Sequence, residues 1–342
     1  MAVADNLSKL AASRKSDEII IYFTGDRNPP ELFPTQIAPD VITIFDKHLY
    51  KLGKKKKISL FLYTSGGLLE APWPIVSLFR EYCEELEVII PYKALSAGTL
   101  VCLGADKIVM TPLSVLSPID PQGSFRVGQE ARQIQVEDVT GFVEFAKSKV
   151  GIAEQSSLAE VMKILSSEIP PSVLGSVNRA HSLIRLLADK LLRAHKNPLE
   201  EHQIKSIVES LTEKLFTHTH LIGRVEAKEK LGFKDLVEYA SDSEEKLIRN
   251  VYAHYEDLLK LKEPFEPGNI LGERTEDLVT EVRAIIESSV GSDKFTADYK
   301  IEKIPDPASP KPFAIKIENV GWKEDSKTSS PSKPKPVREV KK

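Results

Sequence analysis

Residues 60–76, LFLYTSGGLLEAPWPIV, carry the clearest information about the fold. The run at residues 58–63 is almost entirely apolar, which is typical of a strand covered on both faces. After two glycines, apolar residues recur at three- and four-residue steps from Ile75 to Tyr82, which indicates a helix with one buried stripe. A strand, a tight turn and an amphipathic helix in this order predict an α/β protein with a largely parallel sheet.

The same pattern continues on both sides of this segment. β-branched runs at residues 19–23, 88–90 and 108–110 predict further strands, and residues 41–52 predict a second crossover helix. Beyond about residue 135 the patterns become mainly helical. We expect helices at residues 136–149, 158–166, 173–194, 199–215, 226–230, 243–261 and 275–288, and then a small hairpin formed by residues 295–301 and 313–317.

Composition narrows the possible functions. The 342 residues are 41% hydrophobic and 28% charged, as in ordinary folded domains, and 47 basic against 50 acidic residues leave a net charge of −3. No chain-wide positive field exists to collect nucleic acid. Two cysteines, Cys83 and Cys102, cannot form a disulfide framework, and no run of some 18 apolar residues or signal-peptide segment is present. We therefore expect a cytoplasmic protein with no membrane span and no nucleic-acid partner.

A second strand-to-turn junction lies at residues 88–110, VIIPYKALSAGTLVCLGADKIVM. Ser96 is surrounded there by small residues and opens a short apolar helix, whose positive end would favour a developing negative charge. In isolation Ser96 is more simply interpreted as a helix N-cap, and Gly66–Gly67 as a tight turn in which nothing binds. Small neighbours leave room for a substrate backbone, which a cap does not need. Together the two junctions favour a serine nucleophile beside backbone N–H donors.

Four motifs in this order resemble the Clp-fold serine peptidases: TSGG at residues 64–67, ALSAGT at 94–99, GADKIVM at 104–110 and LSPIDPQ at 116–122. They are most similar to the serine dehydrogenase proteinase family and more distantly similar to signal peptide peptidase A. The resemblance implies a Clp/crotonase-like core of repeated ββα units with additional C-terminal helices. It also implies a serine endopeptidase that acts on peptides or proteins and forms homo-oligomers. No cofactor is expected, and no metal site is expected, because no CxxC pair or HExxH motif is present.

The resemblance implies a set of site residues. Ser96 would be the nucleophile, and the N–H groups of Gly66, Gly67 and Ala97 would form the oxyanion hole. A serine also needs a base. The family order of serine, aspartate and histidine matches Ser96 with Asp120 and His218, whereas each of the two by itself could be an ordinary loop residue.

Other bases stay open. His220 stands two residues beyond His218, and a serine–lysine dyad like that of the signal peptide peptidases would use Lys147 or Lys149. Whether an unfoldase partner feeds the site cannot be read from the sequence.

Five parts are expected along the chain: an N-terminal extension (1–16), the peptidase domain (17–235), a helical extension (236–290), a β hairpin region (291–321) and a disordered basic tail (322–342). Two other functions fit the same fold class. A crotonase-like acyl-CoA enzyme would use paired N–H groups on a thioester oxygen, and a non-catalytic oligomeric scaffold would retain only a vestigial site.

Overall fold

The computed structural model describes residues 3–119, 122–127, 130–214, 220–304 and 312–325. Its strands are β1 (Glu18–Thr24), β2 (Lys55–Tyr63), β3 (Cys83–Ile90), β4 (Lys93–Ala94), β5 (Lys107–Met110), β6 (Val115–Leu116), β7 (Gln122–Val127), β8 (Glu130–Gln135), β9 (Ile222–Gly223), β10 (Val237–Tyr239), β11 (Glu276–Ser288), β12 (Gly291–Lys303) and β13 (Phe313–Glu324). Its helices are α1 (Val3–Arg14), α2 (Val41–Leu52), α3 (Pro72–Tyr82), α4 (Ala97–Leu103), α5 (Val136–Glu144), α6 (Gln155–Glu168), α7 (Pro171–Leu192), α8 (Glu201–Glu209), α9 (Arg224–Lys230), α10 (Asp242–Leu258) and α11 (Pro267–Leu271), with π-helical turns at Phe145–Lys149 and Ser210–Lys214.

Eight of the described strands form one mixed sheet in the order β10-β5-β3-β2-β1-β11-β12-β13. β1, β2, β3, β5 and β10 are parallel, as the crossover helices predict, and β11 joins β1 in the antiparallel sense. The α/β class with further helices toward the C-terminus is confirmed. β3, β4 and α4 form one ββα unit of the expected kind.

Helices cover both faces of the parallel strands. Side chains such as Leu60 and Val88 pack on one face against α2, α3, α4, α7 and α8, while Phe61 and Ile89 pack on the other against α1 and α10. This two-sided burial explains why the strands are nearly continuous apolar runs in the sequence.

The C-terminal part of the sheet corrects one sequence expectation. Residues 275–288 were expected to be a helix, but β11 occupies this stretch and pairs with β1 and β12. The expected hairpin is present as β12 and β13, whose strands are longer than the sequence indicated. Lys323, which begins the basic run expected to be disordered, lies in β13, while residues 326–342 lie outside the described residues.

The helices expected between residues 136 and 261 are confirmed at α5 to α10, with joints at Pro170–Pro171 and Asn197–Pro198. The β7–β8 hairpin was not expected. No helix among the described residues has the length and apolar character needed to cross a bilayer.

A small second sheet lies at the carboxyl ends of the parallel strands. It has the order β4-β6-β9, with Ala94 paired to Leu116 and Leu116 paired to Ile222. This sheet brings the chain before Ser96, the chain before Ser117 and the chain after His220 side by side. Three segments that are distant in sequence therefore converge at one edge.

Candidate active site

Two turns meet at this edge, the glycine turn after β2 and the turn between β4 and α4. The Thr64 N–H donates to the Lys93 carbonyl at 3.0 Å, and the Thr64 carbonyl accepts the Leu95 N–H at 3.2 Å. A Cβ atom added to Gly66 would lie 2.9 Å from Ser96 Cβ and 3.5 Å from Ser96 Oγ. The structure thus places the glycine turn directly against Ser96.

Ser96 has an unusual backbone conformation, with φ 51° and ψ −113°. Positive φ is uncommon for residues other than glycine, and such strain clusters at functional sites. A sharp, strained strand-to-helix turn is also how hydrolases present an exposed serine hydroxyl. Ser96 is partly exposed, and its side chain makes no capping hydrogen bond to α4. The simple N-cap interpretation therefore does not describe Ser96.

A buried serine holds this strained backbone. The Ser96 N–H donates to Ser117 Oγ at 2.7 Å, and Ser117 Oγ donates onward to the Pro118 carbonyl at 3.0 Å. The Ser117 N–H donates to Thr99 Oγ1 at 3.2 Å, which ties the segment to α4. Ser117 was not singled out from the sequence as a site residue, although it lies in the LSPIDPQ motif.

Backbone N–H groups near Ser96 differ in availability. Gly66, at φ +114°, donates its N–H to Thr64 Oγ1 at 3.0 Å. Within the described part of the chain, the N–H groups of Gly67 and Ala97 donate to no protein acceptor. Available donors from two separate turns are what an oxyanion hole requires.

Ile37 fixes the far side of the glycine turn. Its N–H donates to the Gly66 carbonyl at 2.8 Å, and its carbonyl accepts the Leu68 N–H at 2.8 Å. Gly67 lies between Gly66 and Leu68 and forms an isolated parallel β-bridge with Ile37. A Cβ atom added to Gly67 would lie 2.1 Å from the Ile37 carbonyl oxygen. Only glycine fits this contact. Nothing in the spacing of the sequence pointed to Ile37, because this pairing joins two loops.

Close packing also requires Gly98. A Cβ at this position would lie 2.4 Å from Thr64 Cγ2, so the backbone of α4 packs directly against the Thr64 side chain at the start of the glycine turn. The small residues around Ser96 therefore serve the approach of the two turns to each other.

The structure describes three of the residues considered for the base, but not the histidine and aspartate that the resemblance implies. Asp120 and His218 lie outside the described residues. His220 Nε2 lies 3.0 Å from both carboxylate oxygens of Glu226. Lys147 and Lys149 are exposed, and Lys147 Nζ lies 3.8 Å from the Glu144 carboxylate.

Two described residues close in sequence to the proposed bases are held by backbone pairing. Ile119, which directly precedes Asp120, is buried and donates its N–H to the Leu211 carbonyl at 3.2 Å. Ile222, two residues beyond His220, pairs with β6, which in turn pairs with β4 just before Ser96.

Two histidines outside the sequence motifs, His48 and His195, are buried and bonded. His48 lies between the Asp293 carboxylate at 2.9 Å and Ser288 Oγ at 2.6 Å, and His195 Nε2 lies 2.6 Å from the Leu103 carbonyl oxygen. Burial lowers the pKa of both imidazoles.

The two cysteines are packed thiols. Both are free and buried, and burial raises the pKa of Cys83 to about 12. No group of three or more His, Cys, Asp or Glu side chains among the described residues is arranged to hold a metal ion.

The segment that contains both turns also has a recognisable family pattern. Residues 47–135 match the ClpP-like SDH-type serine proteinases. The match includes TSGG, Ser96 and the LSPIDPQ motif. The family resemblance drawn from the sequence is therefore confirmed for this segment.

Two curated relatives come from Methanocaldococcus jannaschii. The uncharacterized protein MJ0137 is 32% identical over 178 residues, which cover 52% of this chain and 52% of the relative. The uncharacterized protein MJ1495 is 42% identical over 65 residues, or 19% of this chain and 22% of the relative. The chain thus spans about half the length of the first relative and less of the second.

Two solved structures show a distant similarity. One is a serine-to-alanine mutant of the 1510-N membrane-bound stomatin-specific protease, with a TM-score of 0.35, 17% identity and coverage of 59% of this chain and 75% of that one. The other is a lysine-to-alanine mutant of that protease in complex with a substrate peptide, with a TM-score of 0.36, 16% identity and coverage of 64% and 94%.

Proposed function

We propose that the protein is a serine peptidase that cleaves peptide bonds through an acyl-enzyme on Ser96. The observation that carries this proposal is a strained, partly exposed serine in one of two adjoining turns, beside the Gly67 and Ala97 N–H groups, which donate to no acceptor among the described residues. The family pattern across residues 47–135 supports the same activity.

In the first step Ser96 Oγ attacks the carbonyl carbon of the peptide bond, and a base takes the hydroxyl proton. The carbonyl oxygen becomes an oxyanion, which we assign to the N–H groups of Gly67 and Ala97. Gly66 was also expected to donate, but its N–H is already bonded to Thr64 Oγ1, so its part is to shape the turn. The base then returns the proton to the leaving amine, and water hydrolyses the ester.

For the base we retain His218, oriented by Asp120. The support is positional. Ser117 and Ile119 lie just before Asp120 in the chain, and Ser117 bonds to Ser96 while Ile119 bonds to Leu211 in the π-helical turn after α8. His220 is the second choice, since its imidazole is already bonded to Glu226. Lys147 and Lys149 rank last, because both side chains are exposed and Lys147 Nζ lies near the Glu144 carboxylate.

Two further expectations are kept as proposals. The free buried thiols of Cys83 and Cys102 support a cytoplasmic location. Large apolar side chains on the helical segment after β8 are exposed, including Phe145 at 56%, Ile164 at 59% and Leu186 at 61%, which supports self-association. The mass of the purified protein in solution, compared with the mass of a single chain, would test the second expectation.

Labelling with a fluorophosphonate, followed by mass spectrometry of the modified peptide, tests the nucleophile. We expect the wild-type protein to be labelled on Ser96 and Ser96→Ala to be unlabelled, with turnover of a peptide substrate reduced on the order of 10⁶-fold. Ser182→Ala, on the exposed surface of α7, is the matched control and should be labelled normally. Equal labelling of Ser96→Ala would refute the assignment. Tight binding of coenzyme A thioesters without any labelling would instead favour the acyl-CoA enzyme.

The same assay ranks the bases. His218→Ala should slow labelling far more than His220→Ala or Lys147→Met. A reversed order would move the role of base to His220 or to the lysine.

A further inference from the structure

One carboxylate outside the proposed catalytic set is bonded to the glycine turn and to β4, the strand that leads into the turn of Ser96. Asp26 lies two residues beyond β1 and is 31% exposed. Its carboxylate accepts hydrogen bonds from Tyr63 Oη at 2.7 Å and from Ser65 Oγ at 3.2 Å, and it forms an ion pair with Lys93 Nζ. Ser65 belongs to the glycine turn, while Lys93 belongs to β4, three residues before Ser96.

These bonds connect the two turns through side chains. The backbone already joins them where Thr64 N–H donates to the Lys93 carbonyl. Asp26 adds a second connection through side chains, because Ser65 directly follows Thr64 and Lys93 is the residue whose carbonyl accepts the Thr64 N–H. Two connections restrict rotation of the glycine turn about Thr64 more than one does.

The surroundings of Asp26 hold it in place. Gly25 donates its N–H to the Arg283 carbonyl at 2.8 Å, and a Cβ at Gly25 would lie 2.8 Å from that same oxygen, so the chain crosses β11 closely before it reaches Asp26. Lys93 Nζ lies 5.4 Å from the centroid of the Tyr63 ring and 5.8 Å from that of Tyr92, within the range of cation–π attraction. Both partners of the ion pair are therefore fixed before any substrate arrives.

We propose that Asp26 is a positioning residue, which holds the Gly67 N–H of the glycine turn in register with Ser96 Oγ and the Ala97 N–H. This role rests on the proposed peptidase function. An oxyanion hole works only when its donors are placed in advance, and a misplacement of about 1 Å can lower a rate on the order of 10²-fold. Asp26 touches no reacting atom, so its effect on the reaction passes through Ser65 and Lys93.

The rate of fluorophosphonate labelling at Ser96 tests this role. We expect Asp26→Ala to slow labelling about 10²-fold and Asp26→Asn, which keeps the shape and an acceptor oxygen, to slow it less. Asp17→Asn is the matched control, because Asp17 lies just before β1 and its carboxylate also accepts two hydrogen bonds, from the Lys56 and Lys57 N–H groups at 2.7 and 3.1 Å. That variant should label at the wild-type rate even if it melts at a lower temperature.

A double-mutant comparison separates positioning from general stability. If Asp26 acts partly through Ser65, the combined loss in Asp26→Ala/Ser65→Ala is smaller than the product of the two single losses. Hydrogen exchange of the peptide covering residues 64–68 gives a readout that does not depend on activity, and we expect it to be faster in Asp26→Ala than in Asp17→Asn.

The outcomes are distinguishable. Wild-type labelling speed in Asp26→Ala, together with no labelling of Ser96→Ala, overturns the positioning role and leaves the peptidase proposal standing. Absence of labelling in the wild-type protein overturns the peptidase proposal. In that case hydrogen exchange still tests Asp26: an unchanged exchange rate at residues 64–68 in Asp26→Ala would show that Asp26 does not restrain the glycine turn.

Discussion

Ser96 depends on a neighbour that takes no part in the proposed chemistry. A strained backbone persists only where its surroundings hold it, and here the buried hydroxyl of Ser117 accepts the Ser96 N–H. The Ser96 N–H is thereby directed away from the proposed oxyanion hole, which leaves Gly67 and Ala97 as its donors. The conformation of one residue thus determines which amides are available.

Replacing Ser117 by alanine removes this acceptor. We expect Ser117→Ala to lower the free energy of unfolding by about 1–3 kcal/mol, because a partly buried N–H loses its partner, and to slow labelling at Ser96. Ser114→Ala is the matched control, since Ser114 is also buried and its Oγ accepts the Thr111 N–H at 2.7 Å. Chemical denaturation and labelling rates measured on both variants check the prediction. Equal labelling rates would mean that Ser117 contributes to stability alone.

At the scale of elements, β11 shows how local pattern can mislead. A helix was expected at residues 275–288, and Leu278, Val282 and Ile286 recur there at four-residue steps, which is a helical spacing. The structure places the stretch between β1 and β12, where Ile285 packs on one face of the sheet and Ile286 on the other. Residues 283–286 are buried in succession, so this part of the strand lacks the alternation that would identify it. Pairing with distant strands outweighed the helical spacing.

The strand assignment predicts unequal costs along β11. Ile286→Ala should lower the free energy of unfolding by about 2–5 kcal/mol, because the side chain is fully buried in the larger core. Leu278→Ala, on the same strand but 59% exposed, should change it by no more than about 0.5 kcal/mol. Urea denaturation of the two variants makes the comparison. Similar decreases in the free energy of unfolding for both variants would contradict the observed register.

At the scale of the whole molecule, side-chain contacts join the parallel strands to the antiparallel extension. His48 on α2 contacts Asp293 on β12 at 2.9 Å, Trp322 on β13 donates to Asp40 at 2.8 Å, and Arg27 pairs with Glu281 on β11 at 3.1 Å. The extension is thus fastened to the same body that carries the site.

The buried histidines make this body sensitive to acid. Burial lowers the pKa of His48 and of His195, so the folded state binds fewer protons than the unfolded state. Their contribution to stability is complete above the unfolded value of about 6.5 and is lost as the pH falls below it. We expect the urea midpoint to decrease from pH 7 to pH 5.5, less steeply in His48→Gln than in the exposed control His202→Gln. Equal slopes would show that His48 does not contribute.

The parallel strands, the crossover helices and the two turns around Gly66 and Ser96 followed from the sequence, because their apolar spacing and small residues are local properties of the chain. Ile37, Ser117 and Asp26 did not, since each acts through a contact with a residue far along the chain that no spacing records. β11 was misassigned for the same reason. Local propensity fixes where the chain turns, whereas packing between distant segments fixes which donors, acceptors and charges meet, and the arrangement at Ser96 is of the second kind.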